Sequence, residues 1–503
     1  MPFIRIYLVT VVILLASSAI AEVDLSDVGE VHLENSGAAG AQYAFLHGLA
    51  QTHNFEFDFA AKDFQKAQEI DPDFALAYWG EAMTYNHPLW AQQDKEAALA
   101  VLNKYAESPA ARQSKAPTEL ERDLLMAVDI LYGEGTKHEQ DDLYKLFMGK
   151  LYDKYPDNVD IATFYALSIM GTAHEGREFG LYMQSAAITQ NFINAYPLHP
   201  GVAHYLIHAT DDPIHAPLGL AAAKAYGAIA PNAAHAQHMT THIFLALGNW
   251  DGVIRANIRA SHIVDDHRAA RGKGPGGCGH YPSWLMYGHL QQGNRDAAHK
   301  IMALCHQNIS DKSSEHNRSY YAWQRALYLL DTGEWAGDVA AMEAEFDDSY
   351  EPLLINQVVN GWVAVNSNDM SAAKASLKSA RKTFTRLEQK WEDEGVPVNQ
   401  PSRKEPLVYM GELEALIALA GGKSAKGIAL LREVVSIEMD LPFGFGPPQP
   451  AKPALELLGE SLLKTGQLEE AKTILKTSLS RTPNKAASVS ALEAAQTALA
   501  SGT

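Results

Sequence analysis

An all-α fold of stacked helical hairpins is predicted by three features of this 503-residue sequence. First, His204 with His208 and His238 with His242 stand at i,i+4 spacing, so each pair shares one face of a helix. The second pair repeats the first at an offset of 34 residues, as Pro231 repeats Pro197. Second, one turn recurs: LALGNWDGV at 245, LQQGNRDAA at 290, LDTGEWAGD at 330, VNSNDMSAA at 365 and LKTGQLEEA at 463. Each is an apolar helix end, a Gly or Asn suited to the left-handed C-cap, and a fresh amphipathic helix. Third, period-2 alternation is scarce, so strands are not expected.

At the amino terminus, Arg5 precedes an apolar run from Ile6 to Ala16, and Ala19-Ile20-Ala21 forms an A-x-A cleavage site. Residues 1–21 therefore read as a secretory signal peptide rather than a membrane anchor, since the run is short for a bilayer. An exported protein, periplasmic or extracellular, with no membrane span after cleavage is expected. With 47% hydrophobic and 20% charged residues the bulk is ordinary globular composition, which argues against disordered and membrane classes. Without Arg5 the balance is 40 basic against 60 acidic residues, which gives no electrostatic reason to bind nucleic acid or anionic lipid. Cys278 and Cys305 are the only cysteines. In an oxidising compartment they could pair, but spacing alone leaves open two free thiols, or Cys278 as a ligand.

Further along, NSGAAGAQYAFLHGLAQTHNFEFDFAAKDFQKAQEIDPDF from Asn35 carries Gly48, Ala60, Phe64, Ala67 and Pro72 at the small, aromatic, small and proline positions of a known repeat. Leu458, Gly459, Gly466, Ala471, Leu475 and Pro483 match the same frame near the carboxyl end. In these stretches the chain resembles the tetratricopeptide repeat, whose period is the offset of the histidine pairs. The resemblance implies a right-handed, tetratricopeptide-like helical-hairpin solenoid. It would run over residues 22–393, with residues 394–503 as carboxyl-terminal repeats continuing it. The HYLIHA-x-DDP and HxxxHIF segments also resemble those of exported bacterial tetratricopeptide-repeat proteins with a histidine-rich centre. Four irregular segments interrupt the pattern on proline and glycine chemistry: 108–118, 271–282, 394–406 and 441–453. The first reads as a connection, the second as a lid, and the last two as separating the central solenoid from its carboxyl-terminal repeats.

Residues 170–290 hold 12 of the chain's 20 histidines. In the repeat frame set by Pro197 and Pro231, His204 and His238 take the fifth place of a first helix, His208 and His242 the ninth, His235 the second and Asp211 the twelfth. The resemblance implies that these places face the concave groove where ligands bind. Neighbouring first helices lie roughly 8–10 Å apart, so both pairs can point into one volume. His204, His208, His235, His238 and His242 are accordingly candidate metal ligands, for copper, iron or zinc. Asp211 is the candidate catalytic carboxylate, with Asp212 beside it, as ligand, orienter of an imidazole, or general base. A lone helical histidine is more often a hydrogen-bonded structural residue, and His199 and His215 read as boundary residues of that kind.

The HxxxH pairs lack the glutamate of a zincin helix. Nucleophile elbow, phosphate loop, dinucleotide fingerprint, haem and EF-hand motifs are all missing, as is the Lys/Arg set of a carboxylate clamp. Two readings follow. One is a metal-binding groove, enzymatic or a carrier; the other is a non-catalytic scaffold that binds a peptide, small molecule or protein partner along that groove.

Overall fold

The computed structural model describes residues 23–309, 314–346, 349–398 and 400–501. The signal-peptide reading of residues 1–21 lies outside them. The described chain is an array of antiparallel helical hairpins, with a single two-residue ribbon, Asn86–His87 against Gln92–Gln93, as its only sheet.

The five recurring turns take the conformation their residues predict. Gly248, Gly293, Gly333 and Gly466 have φ of 67°, 70°, 68° and 78°, and Asn368 has 59°, the left-handed region that a helix C-cap uses. The next helix is then capped by the following side chain. Asn249, Asn294 and Asp369 each accept a hydrogen bond from the backbone N–H three residues on. Within a hairpin the small residues permit close approach: a Cβ on Gly459 would lie 2.5 Å from Leu475, while Ala60, Phe64 and Ala67 are fully buried in the first repeat.

Two segments tie the hairpins together. An amino-terminal strap with Leu25, Val28, Val31 and Leu33 buried crosses several repeats, and its backbone pairs with Leu198 and Asn232 and binds Asp160 and Glu121. At the other end, the carboxyl-terminal helices return to the middle of the chain. Trp250 donates to the Asn484 carbonyl, Ala486 N–H donates to Gln291, and the buried Lys485 ammonium lies 2.6 Å from Asp331. The array thus turns back on itself.

Three irregular segments differ from their sequence reading. Residues Pro109–Lys115 form a helix, because Ser108 caps it and Pro109 suits its first position. The 271–279 loop is no free lid: Cys278 and Cys305 are joined in a disulfide, which removes Cys278 as a ligand and anchors the loop to helix Arg295–Asn308. Residues 441–453 do more than separate repeats, since they cover the histidine region.

Candidate metal centre

Helix Pro200–Thr210 starts from His199, whose Nδ1 accepts the Val202 N–H, with Pro200 preset for the first helical position. It ends at Asp211-Asp212-Pro213, where Asp212 accepts the N–H groups of Ile214 and His215 and also binds the His215 ring. The expected boundary roles of His199 and His215 are therefore observed. Helix Ala234–Ala246 has no cap of its own; the Glu56 carboxylate from another repeat accepts the His235 N–H at 2.9 Å and fixes that first turn.

All five predicted ligands and Asp211 come together, but in the interior rather than in an open groove. His204 is 0% exposed, His208 3% and His235 9%, and His238, His242 and Asp211 are equally enclosed. The groove reading fails because later chain fills it. Phe445 and Trp284 both stack on His242, at 5.7 and 4.6 Å, while Phe55, from earlier in the chain, lies 4.4 Å from the His204 ring. Gly446, at φ 118°, has no Cβ because one would stand 2.6 Å from Trp284; only glycine lets the segment press down there.

The rings fall into two triads. One ring nitrogen each from His204, His208 and His235 lies within 4.8 Å of the others, and the same holds for His238, His242 and His280. In the first triad His204 Nδ1 donates to the His53 carbonyl at 2.6 Å, which fixes the tautomer and leaves Nε2 as a lone pair. The Nε2 atoms of His204, His208 and His235 are all buried without a hydrogen-bond partner. In the second, His238 Nδ1 donates to Asn257 Oδ1 at 2.7 Å, and that amide is oriented by its own bond to the Val253 carbonyl. His242 Nδ1 donates to Asp211 Oδ2 at 2.7 Å.

Asp211 joins the triads. Its Oδ1 is held by Arg177, its Oδ2 by His242, and His208 Nδ1 stands 3.6 Å away. With both oxygens engaged, it orients the imidazoles around it. Burial alone would raise its pKa, but the Arg177 cation and the two histidines outweigh that and hold it far below the usual carboxylate range. Burial pushes His204, His235 and His238 well below the ordinary imidazole value, with neighbouring rings adding to the effect. His208 falls to about 4 by burial, against the pull of Asp211, and His280 to about 3. Burial thus favours the neutral form of these five rings, the protonation state that binds metal.

His280 and Arg177 were not among the ligands and carboxylate partners expected from sequence. Arg177 carries no sequence signal, whereas His280 opens the next first helix, His280–Gln291, much as His235 stands in the first turn of its own. A cavity of about 690 Å³ reaches the centre from one side, with Arg177, His280, Tyr320, Trp323, Phe445 and Arg481 in its wall.

Comparison with known proteins bears on the fold. Residues 453–485 match the tetratricopeptide repeat family. No curated protein matches the chain. Among solved structures the chain is similar to the Cut9-Hcn1 hetero-tetramer of the APC/C, at 13% identity over 94% of this chain and 79% of that one, with a TM-score of 0.37. Yeast Tom70 gives 11% identity over 92% and 96%, with a TM-score of 0.34, and a human IFIT1 dimer 10% over 93% and 92%, with 0.33. Residues 453–485 are a tetratricopeptide repeat, and the described hairpins elsewhere share its two-helix plan.

Proposed function

We propose that this is an exported metal-binding helical-repeat protein whose interior histidine cluster holds a transition metal ion. The observation that carries the reading is the set of three buried Nε2 atoms, on His204, His208 and His235, with no hydrogen-bond partner, in rings that each bring one nitrogen within 4.8 Å of the others. Leaving a buried polar atom unsatisfied costs ~1–3 kcal/mol, and a cation bound by the triad accounts for all three. An all-imidazole set suits copper, iron or zinc over magnesium or calcium. His238 and His242 stand behind the same carboxylate, and Asp211 and Arg177 orient the ligands as positioning residues. Three protein ligands leave an open coordination position, through which a bound ion would supply Lewis-acid or water-activating chemistry.

Export is supported by the leader-like amino terminus and by the disulfide. No helix among the described residues is long and apolar enough to cross a membrane. Elemental analysis of the purified mature chain tests the metal reading. Stoichiometric copper, iron or zinc is expected, and its loss in a His208→Ala, His242→Ala double variant. Metal well below one ion per chain under every loading condition would overturn it and leave the scaffold reading, a peptide or protein partner in the 690 Å³ cavity.

A further inference from the structure

We infer that the centre is built for two transition metal ions, one in the His204/His208/His235 triad and one in the His238/His242/His280 triad. This rests on the metal reading above and goes beyond it in number, symmetry and ligand set.

The first support is repetition. In each triad, an i,i+4 pair on one first helix is completed by a histidine from the first turn of the next first helix. His235 completes the pair on Pro200–Thr210, and His280 completes the pair on Ala234–Ala246. The same three-ligand device therefore occurs twice, one hairpin apart. The disulfide between Cys278 and Cys305 holds the loop that delivers His280, so the second site is as firmly built as the first.

A second support is independent of the orphaned nitrogens of the first triad. His238 and His242 both spend their Nδ1 protons elsewhere, on Asn257 and Asp211, yet their Nε2 atoms face each other at 3.1 Å. That separation is close to the geometry of a shared ion, since two ligands ~2.0–2.1 Å from a tetrahedral centre stand roughly 3.3 Å apart. His280 Nδ1 meets Tyr320 Oη at 3.1 Å, which leaves Nε2 as the ring nitrogen outside that bond.

The triads adjoin rather than merge. His208 and His242 ring centres are 5.5 Å apart and those of His235 and His238 6.1 Å, with Asp211 between the two sets. The cavity reaches the second triad directly through His280. One ion thus faces the cavity, while the other lies behind it beneath Phe55.

The test is to strip the full-length mature chain of metal, reload it with excess zinc or copper(II), remove unbound ion, and count ions per chain. The wild type is expected to hold two, and His280→Gln and His204→Gln one each. With copper(II), the wild-type electron paramagnetic resonance signal is broadened or weakened by spin coupling, while each single variant shows an isolated copper spectrum. Far-UV circular dichroism and the melting temperature verify that each variant is folded, and the wild-type count stands whether or not the variants fold. One ion per wild-type chain would overturn the two-ion inference and leave the metal reading intact; none would overturn both. Two ions in a folded His280→Gln chain would overturn the assignment of His280.

Discussion

Two histidine clusters share this interior, and they differ in one respect. Around Asp160 every ring nitrogen is used. His199 Nε2 and His53 Nε2 both lie within hydrogen-bonding distance of Asp160 Oδ1, at 3.1 and 3.2 Å, His199 Nδ1 accepts the Val202 N–H, and His53 Nδ1 meets the Tyr205 hydroxyl. A few ångströms away, where the His53 carbonyl accepts from His204, the rings of both triads turn nitrogens to nothing or to each other. Both clusters are buried and both are metal-like in composition. What separates them is satisfaction: a closed network has no coordination left to offer, and an open one has nitrogens to spare.

That contrast can be broken by mutation. The largest effect is expected at Asp160→Ala, which orphans the His53, His199 and His32 N–H donors. At ~1–3 kcal/mol per buried orphan, the chain loses about 3 kcal/mol or more of unfolding free energy in denaturant titration, with metal content per folded chain unchanged. Asp211→Asn comes next. It weakens the orientation of His242 and the pairing of Arg177, and metal affinity measured by competition with a chelator falls ~10–100-fold.

Acidification sharpens the comparison. Burial holds His53 and His208 down to about 4 and His280 to about 3, all below the ~6.5 of an unfolded chain. Unfolding therefore takes up protons, and the stability these rings contribute is full above pH ~6.5 and lost as the pH falls toward 4. Asp160, held well below the carboxylate range by its two histidines despite burial, adds a loss only at lower pH still. Melting temperatures of metal-free protein should fall steadily between pH 6.5 and 4, and a flat profile there would contradict neutral buried rings. The smallest effect is expected at His208→Leu. It replaces an orphaned nitrogen by methyl groups, so metal-free stability stays within ~1 kcal/mol of wild type while the ion of the first triad is lost.

The sequence carried the local half of this. Turn glycines, caps and repeat small residues act within a few positions, so the hairpins and the phase of His204, His208, His238 and His242 could be read from spacing. Asp211 was legible for the same reason, three residues past His208. Contacts made by distant chain could not. Glu56 capping the His235 turn, Arg177 on Asp211, and Phe445 over His242 join residues 34 to 203 positions apart, beyond the reach of a turn or cap. His280 was hidden for a different reason: it stands in the glycine-rich 271–282 stretch, which reads as loop, and that stretch puts it out of the 34-residue register.

The return of residues 441–486 to the middle of the array also sets an order of events. Synthesis runs from the amino terminus, so all six histidines emerge before Phe445, Gly446 and Asn484 exist to cover them. An ion captured during that interval meets an open, solvent-facing cluster; one arriving later waits for the 441–453 segment to lift. On the proposed metal reading, loading would then be fast on the growing chain and exchange slow thereafter, at a rate set by local opening of the covering segment.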